Sequence, residues 1–148
     1  MKIFNYTLIL FFTLALFSCG GGGGGSDKTA PSINFAKPST NAASPTTITS
    51  GQTVTFSGTV SDNKELKSIT FTNLIVKAKS IDDFVQDFNE QLNSKKPNST
   101  AVLDKETYSV NFSIETLGGA PAADYTLTCT VIDSSGNPKE VTFYIKVE

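Results

Sequence analysis

Thr53-Val-Thr-Phe-Ser-Gly-Thr-Val60 decides the fold class. Val54, Phe56, Gly58 and Val60 take one set of alternate positions, and Thr53, Thr55, Ser57 and Thr59 take the other. Successive side chains of a strand point to opposite faces, so this stretch has one face in a core and one in water. The same period runs outward in both directions. Ile33 and Phe35 alternate with Ser32, Asn34 and Ala36. Ile69 and Phe71 are followed by Leu74 and Val76, a change of phase that predicts a bulge near Asn73. Tyr108, Val110, Phe112 and Ile114 make another face, Tyr125, Leu127, Cys129 and Val131 the next, and Val141, Phe143, Ile145 and Val147 the last. Asn41-Ala-Ala-Ser-Pro45, Ser61-Asp-Asn-Lys64, Gly118-Gly-Ala-Pro121 and Asp133-Ser-Ser-Gly-Asn-Pro138 read as the turns between them. About seven half-buried antiparallel strands with this punctuation predict an all-β sandwich.

Composition removes whole classes of function. The 148 residues include no His, no Arg and no Trp, with 12 Lys against 14 acids for a net charge of −2. Without His there is no His-based triad, no Cys–His pair and no imidazole metal site. Without Arg, and with a negative net charge, nucleic acid is not an expected partner. No two carboxylates stand at a separation that the pattern fixes, so glycoside hydrolysis has no footing and no enzyme is expected.

Met1-Lys2 precedes an apolar stretch from Ile3 to Phe17. As a helix it would span roughly 22 Å, short of a ~30 Å hydrocarbon core, and its dense part has the length of a signal-peptide h-region. It ends in Leu16-Phe17-Ser18-Cys19, which resembles the lipobox of bacterial lipoproteins. The resemblance implies a signal peptide over 1–18, a diacylglycerol-modified Cys19 as mature N-terminus, and membrane anchoring by acyl chains. The mature chain of 130 residues then carries 11 Lys and 14 acids, net −3. With Cys19 lipidated, Cys129 has no disulfide partner, and the fold rests on its core. Gly20–Gly25 is a leash, with a reach of only ~16 Å from Gly20 to Asp27 as a coil. The lipidated Cys and tether occupy 19–29 and the sandwich 30–148. Cys, glycines and Ser-Asp in this order resemble outer-membrane lipoproteins of the Bacteroidota. That places the chain in the cell envelope, with the periplasmic or exposed side left open.

Asp27-Lys-Thr-Ala-Pro31-Ser-Ile, Val60-Ser-Asp-Asn63 with Leu66-Lys-Ser-Ile69, Tyr125-Thr-Leu-Thr and Asp133-Ser-Ser-Gly-Asn137 together resemble bacterial Ig-like domains. The likeness covers about 27–148 except 77–105. It is also similar to Bacteroidota Ig-like lipoproteins with a Cys in the penultimate strand, as Cys129 is here. Members of that group carry His near the third strand, and this chain has none, so a His-dependent role does not transfer. The implied fold is an Ig-like antiparallel sandwich with a short helical insertion after the third strand, at about 78–98. Its topology brings the tether in beside Asp62 and Asp133, and sends the insertion out at the opposite end. Tyr125 is similar to the corner tyrosines of such sandwiches, which lock the fold.

Within the insertion, Ser80-Ile81-Asp82-Asp83 reads as a capping box. Ile81, Phe84, Val85, Phe88 and Leu92 fall on one face of a helix over about 81–93. Thr100–Leu103 and Thr107–Ile114 read as a hairpin about Asp104-Lys-Glu106. Asp82, Asp83, Asp87 and Glu90 offer an acidic partner-binding surface. The plainer reading is an apolar plug sealing the sandwich, with its acids solvated.

Asp27, Asp62 and Asp133, with Asn63 and Asn137, could converge near the tether, and calcium takes hard oxygens of this kind. Asp in turns also caps its own backbone. Cys129, between Leu127 and Val131, reads as a buried and inert thiol. Glycan binding needs exposed aromatic platforms, and of the strand aromatics only Tyr144 points outward. The expected protein is a lipid-anchored, monomeric, non-enzymatic Ig-like domain for protein interaction or adhesion. Its alternatives are a glycan-binding accessory lipoprotein and a calcium-stabilised module. Beyond the lipid and that calcium, no cofactor is expected.

Overall fold

A single 19-residue strand, β3 (Thr53–Phe71), belongs to both halves of the molecule. The computed structural model describes residues 27–76 and 82–148. The leader over 1–18, Cys19, the glycine run, and the Ser80 and Ile81 of the capping box lie outside the described residues. Around β3 stand β1 (Ser32–Lys37), β2 (Thr46–Ile48), β4 (Ile75–Val76), β5 (Lys105–Glu115), β6 (Ala123–Asp133) and β7 (Pro138–Val147), with one helix, α1 (Asp82–Lys95).

The first part of β3, Thr53–Ser61, pairs antiparallel with β1 on one edge and β5 on the other. Its last part, Leu66–Phe71, pairs antiparallel with β6, which pairs with β7. One hydrogen-bonded path, β1-β3-β6-β7-β2, therefore folds back on itself where β3 changes partners. The two layers so formed make the Ig-like β-sandwich expected from the alternation. Ser61–Lys64, expected as a turn between two strands, instead lies inside β3, where the register shifts between Ser61 and Leu66. Asp62 and Asn63 are turn formers, and here they accommodate an irregularity in a continuous strand rather than a reversal.

Two further expectations change. The sandwich is not wholly antiparallel, because β2 pairs with β7 in parallel, Thr46 opposite Ile145 and Ile48 opposite Val147. Three residues are too few to show a period, so β2 left no signal in the sequence. The hairpin about Asp104 is absent from the described residues. Ala101, Leu103 and Lys105 donate their N–H groups to the carbonyls of Asn98, Thr100 and Val102, a run of tight turns that ends with Asp104 at φ 60°. The bulge expected near Asn73 is present as a break between β3 and β4. Leu74 is buried there and its N–H donates to Asn89 Oδ1 at 2.7 Å.

Five phenylalanines lock the layers together. Phe35, Phe56 and Phe112 come from one layer, and Phe71 and Phe143 from the other. Phe56 meets Phe71 and Phe143 edge-on at 6.1 and 5.4 Å, Phe35 meets Phe143 at 4.7 Å, and Phe71 meets Phe112 at 5.5 Å. Edge-to-face contact sets the positive rim of one ring on the negative face of the next. Tyr125 is buried and donates its hydroxyl to the Pro121 carbonyl at 3.1 Å, the corner-tyrosine geometry.

The helix closes the gap between the layers at one end. Phe84, Phe88 and Leu92 are buried, and Phe84 lies 4.9 Å from the Tyr125 ring. Gln91 Nε2 donates to the Glu115 carbonyl at 2.7 Å, and Gln91 Oε1 accepts the Glu115 N–H at 3.0 Å. After Lys95 the chain returns along the edge of β3, where Ile69 N–H donates to the Ser99 carbonyl and Asp104 N–H to the Leu66 carbonyl.

Gly58 faces Phe35 across the β1–β3 ladder. A Cβ there would lie 2.6 Å from the Asn34 carbonyl oxygen and 2.7 Å from both Cα and Cγ of Phe35. Two of these obstacles are backbone, so the site cannot relax by a rotamer change. Gly58→Ala should destabilise the domain by about 3 kcal/mol, read as a lowered urea midpoint at unchanged slope.

Candidate functional site

Where β3 bends, three segments of the chain meet. The start of the described chain supplies Asp27, the bend supplies Asp62, and the end of β6 supplies Asp133. One carboxylate oxygen from each lies within 4.8 Å of the others. The convergence expected from the sequence is therefore present.

Each carboxylate is also part of its local backbone. Asp27 Oδ1 accepts the Thr29 N–H at 2.9 Å, and Oδ2 accepts Asn63 Nδ2 at 2.9 Å. The Thr29 N–H is the main cause that holds the Asp27 carboxyl below its ordinary pKa, partial desolvation opposes it, and Asn63 and Lys64 add to the lowering. Asp62 Oδ1 accepts the Lys64 N–H at 3.0 Å. Asp62 Oδ2 is buried without a hydrogen-bond partner among the described residues. Asp133 is buried and receives Asn137 twice, N–H to Oδ1 and Nδ2 to Oδ2, each at 2.7 Å.

Asn137 holds the site together. Its amide also donates to the Asp27 carbonyl at 2.8 Å, joining the loop after β6 to the first described residues. That loop turns at Gly136, φ 91°, a conformation only glycine adopts freely. Chemically, the cluster is a set of hard, negatively charged oxygens. An ion bound at ~2.3–2.6 Å spans oxygens up to about 5 Å apart, so the three can share one calcium-sized cation.

The opposite end carries α1 and its acids. The side chain of Asp82 lies outside the described residues. Asp83 is exposed. Asp87 Oδ2 accepts Gln91 Nε2 at 2.8 Å and Glu90 Oε1 accepts Gln86 Nε2 at 3.0 Å. These are neighbours one turn apart on the helix, the ordinary behaviour of a solvated face. Sequence reasoning did not single out Asn89 and Gln91, which tie α1 to Leu74 and Glu115. Their position beside Phe88 and Leu92, at the border of the apolar stripe, was the available signal.

No Phe or Tyr among the described residues is exposed, so a stacking platform for sugars is missing from them. Cys129 is fully buried, and burial pushes its thiol up to about 12. A thiol reagent at pH 8 should leave Cys129 unmodified in the folded Cys19→Ala chain and react with it only when denaturant opens the fold.

Comparison with known proteins adds distant structural likenesses. The BIgI domain of beta protein from S. agalactiae, solved bound to CEACAM1, is 19% identical with a TM-score of 0.46, over 80% of this chain and 96% of that one. Murine CRIg is 14% identical with a TM-score of 0.42, over 81% of this chain and 98% of that one. The fold assignment rests on the strand pairing, not on these likenesses. No curated protein matches the sequence. The model of a family described only as a domain of unknown function, DUF4625, matches residues 17–148, and the chain belongs to that family.

Proposed function

We propose that this protein is a non-enzymatic, lipid-anchored Ig-like domain of the cell envelope, held at the outer membrane by Cys19 and acting through protein interaction or adhesion. The observation that carries this reading is the polarity of the domain. The described chain enters at the aspartate cluster, and α1 with Asp83, Asp87 and Glu90 lies at the other end. A short glycine leash would keep the cluster near the membrane and turn the helical end outward. No helix among the described residues is long and apolar enough to cross a membrane. Cell fractionation tests it. The chain should sediment with membranes and take up labelled fatty acid, and Cys19→Ala should abolish the label and leave the leader uncleaved. A wild-type chain that takes up no label, or a Cys19→Ala chain that still takes it up, would overturn the reading.

A second reading is favoured by the cluster itself, namely a calcium-stabilised module. Asp62 Oδ2 is buried and unpartnered beside two other carboxylates, a position that a cation would relieve. Calcium at about 100 times its dissociation constant would add ~2.7 kcal/mol, raising the melting temperature by about 5–10 °C in a domain of this size. The rise should vanish with chelator and in Asp62→Ala. Asp62 is the residue to change, because removing the buried Asp133 also strips Asn137 of both its carboxylate partners. A melt that calcium leaves unmoved would exclude this reading.

A further inference from the structure

The first described residues are attached to the domain at one point only. Lys28, Thr29 and Ala30 are exposed, Pro31 is buried, and the β1 ladder begins at Ser32 opposite Ser61. No backbone hydrogen bond ties residues 27–30 to the rest of the described chain. Two side chains do the work instead. Asn63 Nδ2 donates to Asp27 Oδ2 at 2.9 Å, and Asn137 Nδ2 donates to the Asp27 carbonyl at 2.8 Å and to the Thr29 carbonyl at 3.4 Å. The bond from Thr29 N–H to Asp27 Oδ1 lies within the segment, so it shapes the segment without fastening it.

Charge works against these amides. One carboxylate oxygen from each of Asp27, Asp62 and Asp133 lies within 4.8 Å of the others. Both oxygens of Asp133 are answered by Asn137, whereas Asp62 Oδ2 is buried with no partner among the described residues. A carboxylate oxygen kept from water and from donors acts on a like charge more strongly than one in open solvent. The Lys64 ammonium draws Asp27 in, and the two neighbouring carboxylates drive it out.

From this balance we infer that Asp27–Ala30 is a releasable strap, latched to the domain by the amides of Asn63 and Asn137 and kept loose by the unpaired carboxylate oxygen of Asp62. Its release leaves the sandwich intact, because Pro31 stays buried and the β1 ladder starts after it. Release opens the aspartate cluster on one side. It also adds the four residues 27–30 to the chain between Cys19 and the domain, a gain of about 14 Å at full extension. That gain in reach rests on the lipid anchor proposed above. The strap itself needs neither the anchor nor a cation.

Trypsin reads the strap, because Lys28 lies inside it. The full chain is kept in chelator, so that no cation takes part, and the products are followed by mass. Cutting after Lys28 should run at a rate that low urea barely changes, while cutting after Lys67, inside β3, waits for global unfolding. Asn63→Ala removes one latch from an exposed position and should speed the Lys28 cut about fivefold with an unchanged melt. Asp62→Asn keeps an oxygen for the Lys64 N–H and puts an amide donor in place of the orphaned one. It should slow the Lys28 cut about tenfold. A merely frayed end would respond to neither substitution. The inference is overturned if Lys28 is cut only in step with Lys67, or if either variant fails to move the Lys28 rate in its stated direction.

Discussion

The contact between Phe56 of one layer and Phe71 and Phe143 of the other is the constraint that the rest of the structure obeys. Phe56 and Phe71 lie on the same strand, on either side of the bend. They can face each other only if β3 folds over between them, so the bend and the aromatic core are one requirement stated twice. Phe35 completes the arrangement by crossing Gly58 to reach Phe143. The glycine is there for space, since its Cβ would occupy the room that the Phe35 ring and backbone take. Close packing of this kind leaves few alternative arrangements of the layers.

Folding β3 over has a polar consequence. At the bend the Lys64 N–H is taken up by Asp62, and Asp27, Asp133, Asn63 and Asn137 bind the neighbouring segments to it and to one another. Asp62 Oδ1 serves the Lys64 N–H, Asp27 serves Thr29 and Asn63, and Asp133 serves Asn137. The structural role and the cation role of these carboxylates are compatible, because a carboxylate oxygen has more than one lone pair. Asp62 Oδ2 is the atom for which the structural role offers no partner among the described residues. Three acids held this close crowd like charges together, and at Asp27 the Thr29 N–H and the Asn63 amide hold the carboxyl below its ordinary pKa in spite of it.

What could be read from the sequence follows from how each feature is encoded. The faces of β3, β5, β6 and β7 are written in a period of two, and the buried residues fall where the alternation placed them. The break near Asn73 is legible for the same reason, since a phase change in the pattern is a phase change in the strand. Ser61–Lys64 was legible as a turn but not as a bend within a continuous strand, because Asp-Asn chemistry serves a reversal and a bulge equally well. Val102 misled the reading of 100–103. It is buried, as a strand residue would be, but from a chain of tight turns. At the site, the meeting of three aspartates was legible only through the resemblance to Ig-like domains, because it depends on the ends of strands far apart in sequence. The double grip of Asn137 and the orphaned oxygen of Asp62 depend on distances, which no spacing encodes.

The insertion explains why one edge of the sandwich differs from the others. A helix can seal an apolar gap, since Phe84, Phe88 and Leu92 supply the rings and branches that a strand would have supplied. It cannot finish a sheet, because its own backbone groups are spent inside it. Where α1 does serve the sheet, it uses side-chain amides in place of a strand. Asn89 answers Leu74, and Gln91 answers both groups of Glu115. The returning segment 96–104 supplies real backbone to β3 at Leu66 and Ile69. The order of the chain then decides the outcome. The insertion comes back to the start of β5 along the β3 edge, so among the described residues its backbone serves β3 and the first residue of β5, and at the far end of β5 the Gln91 amide serves Glu115. The outward groups from Thr107 to Ser113 are what that route leaves over among the described residues.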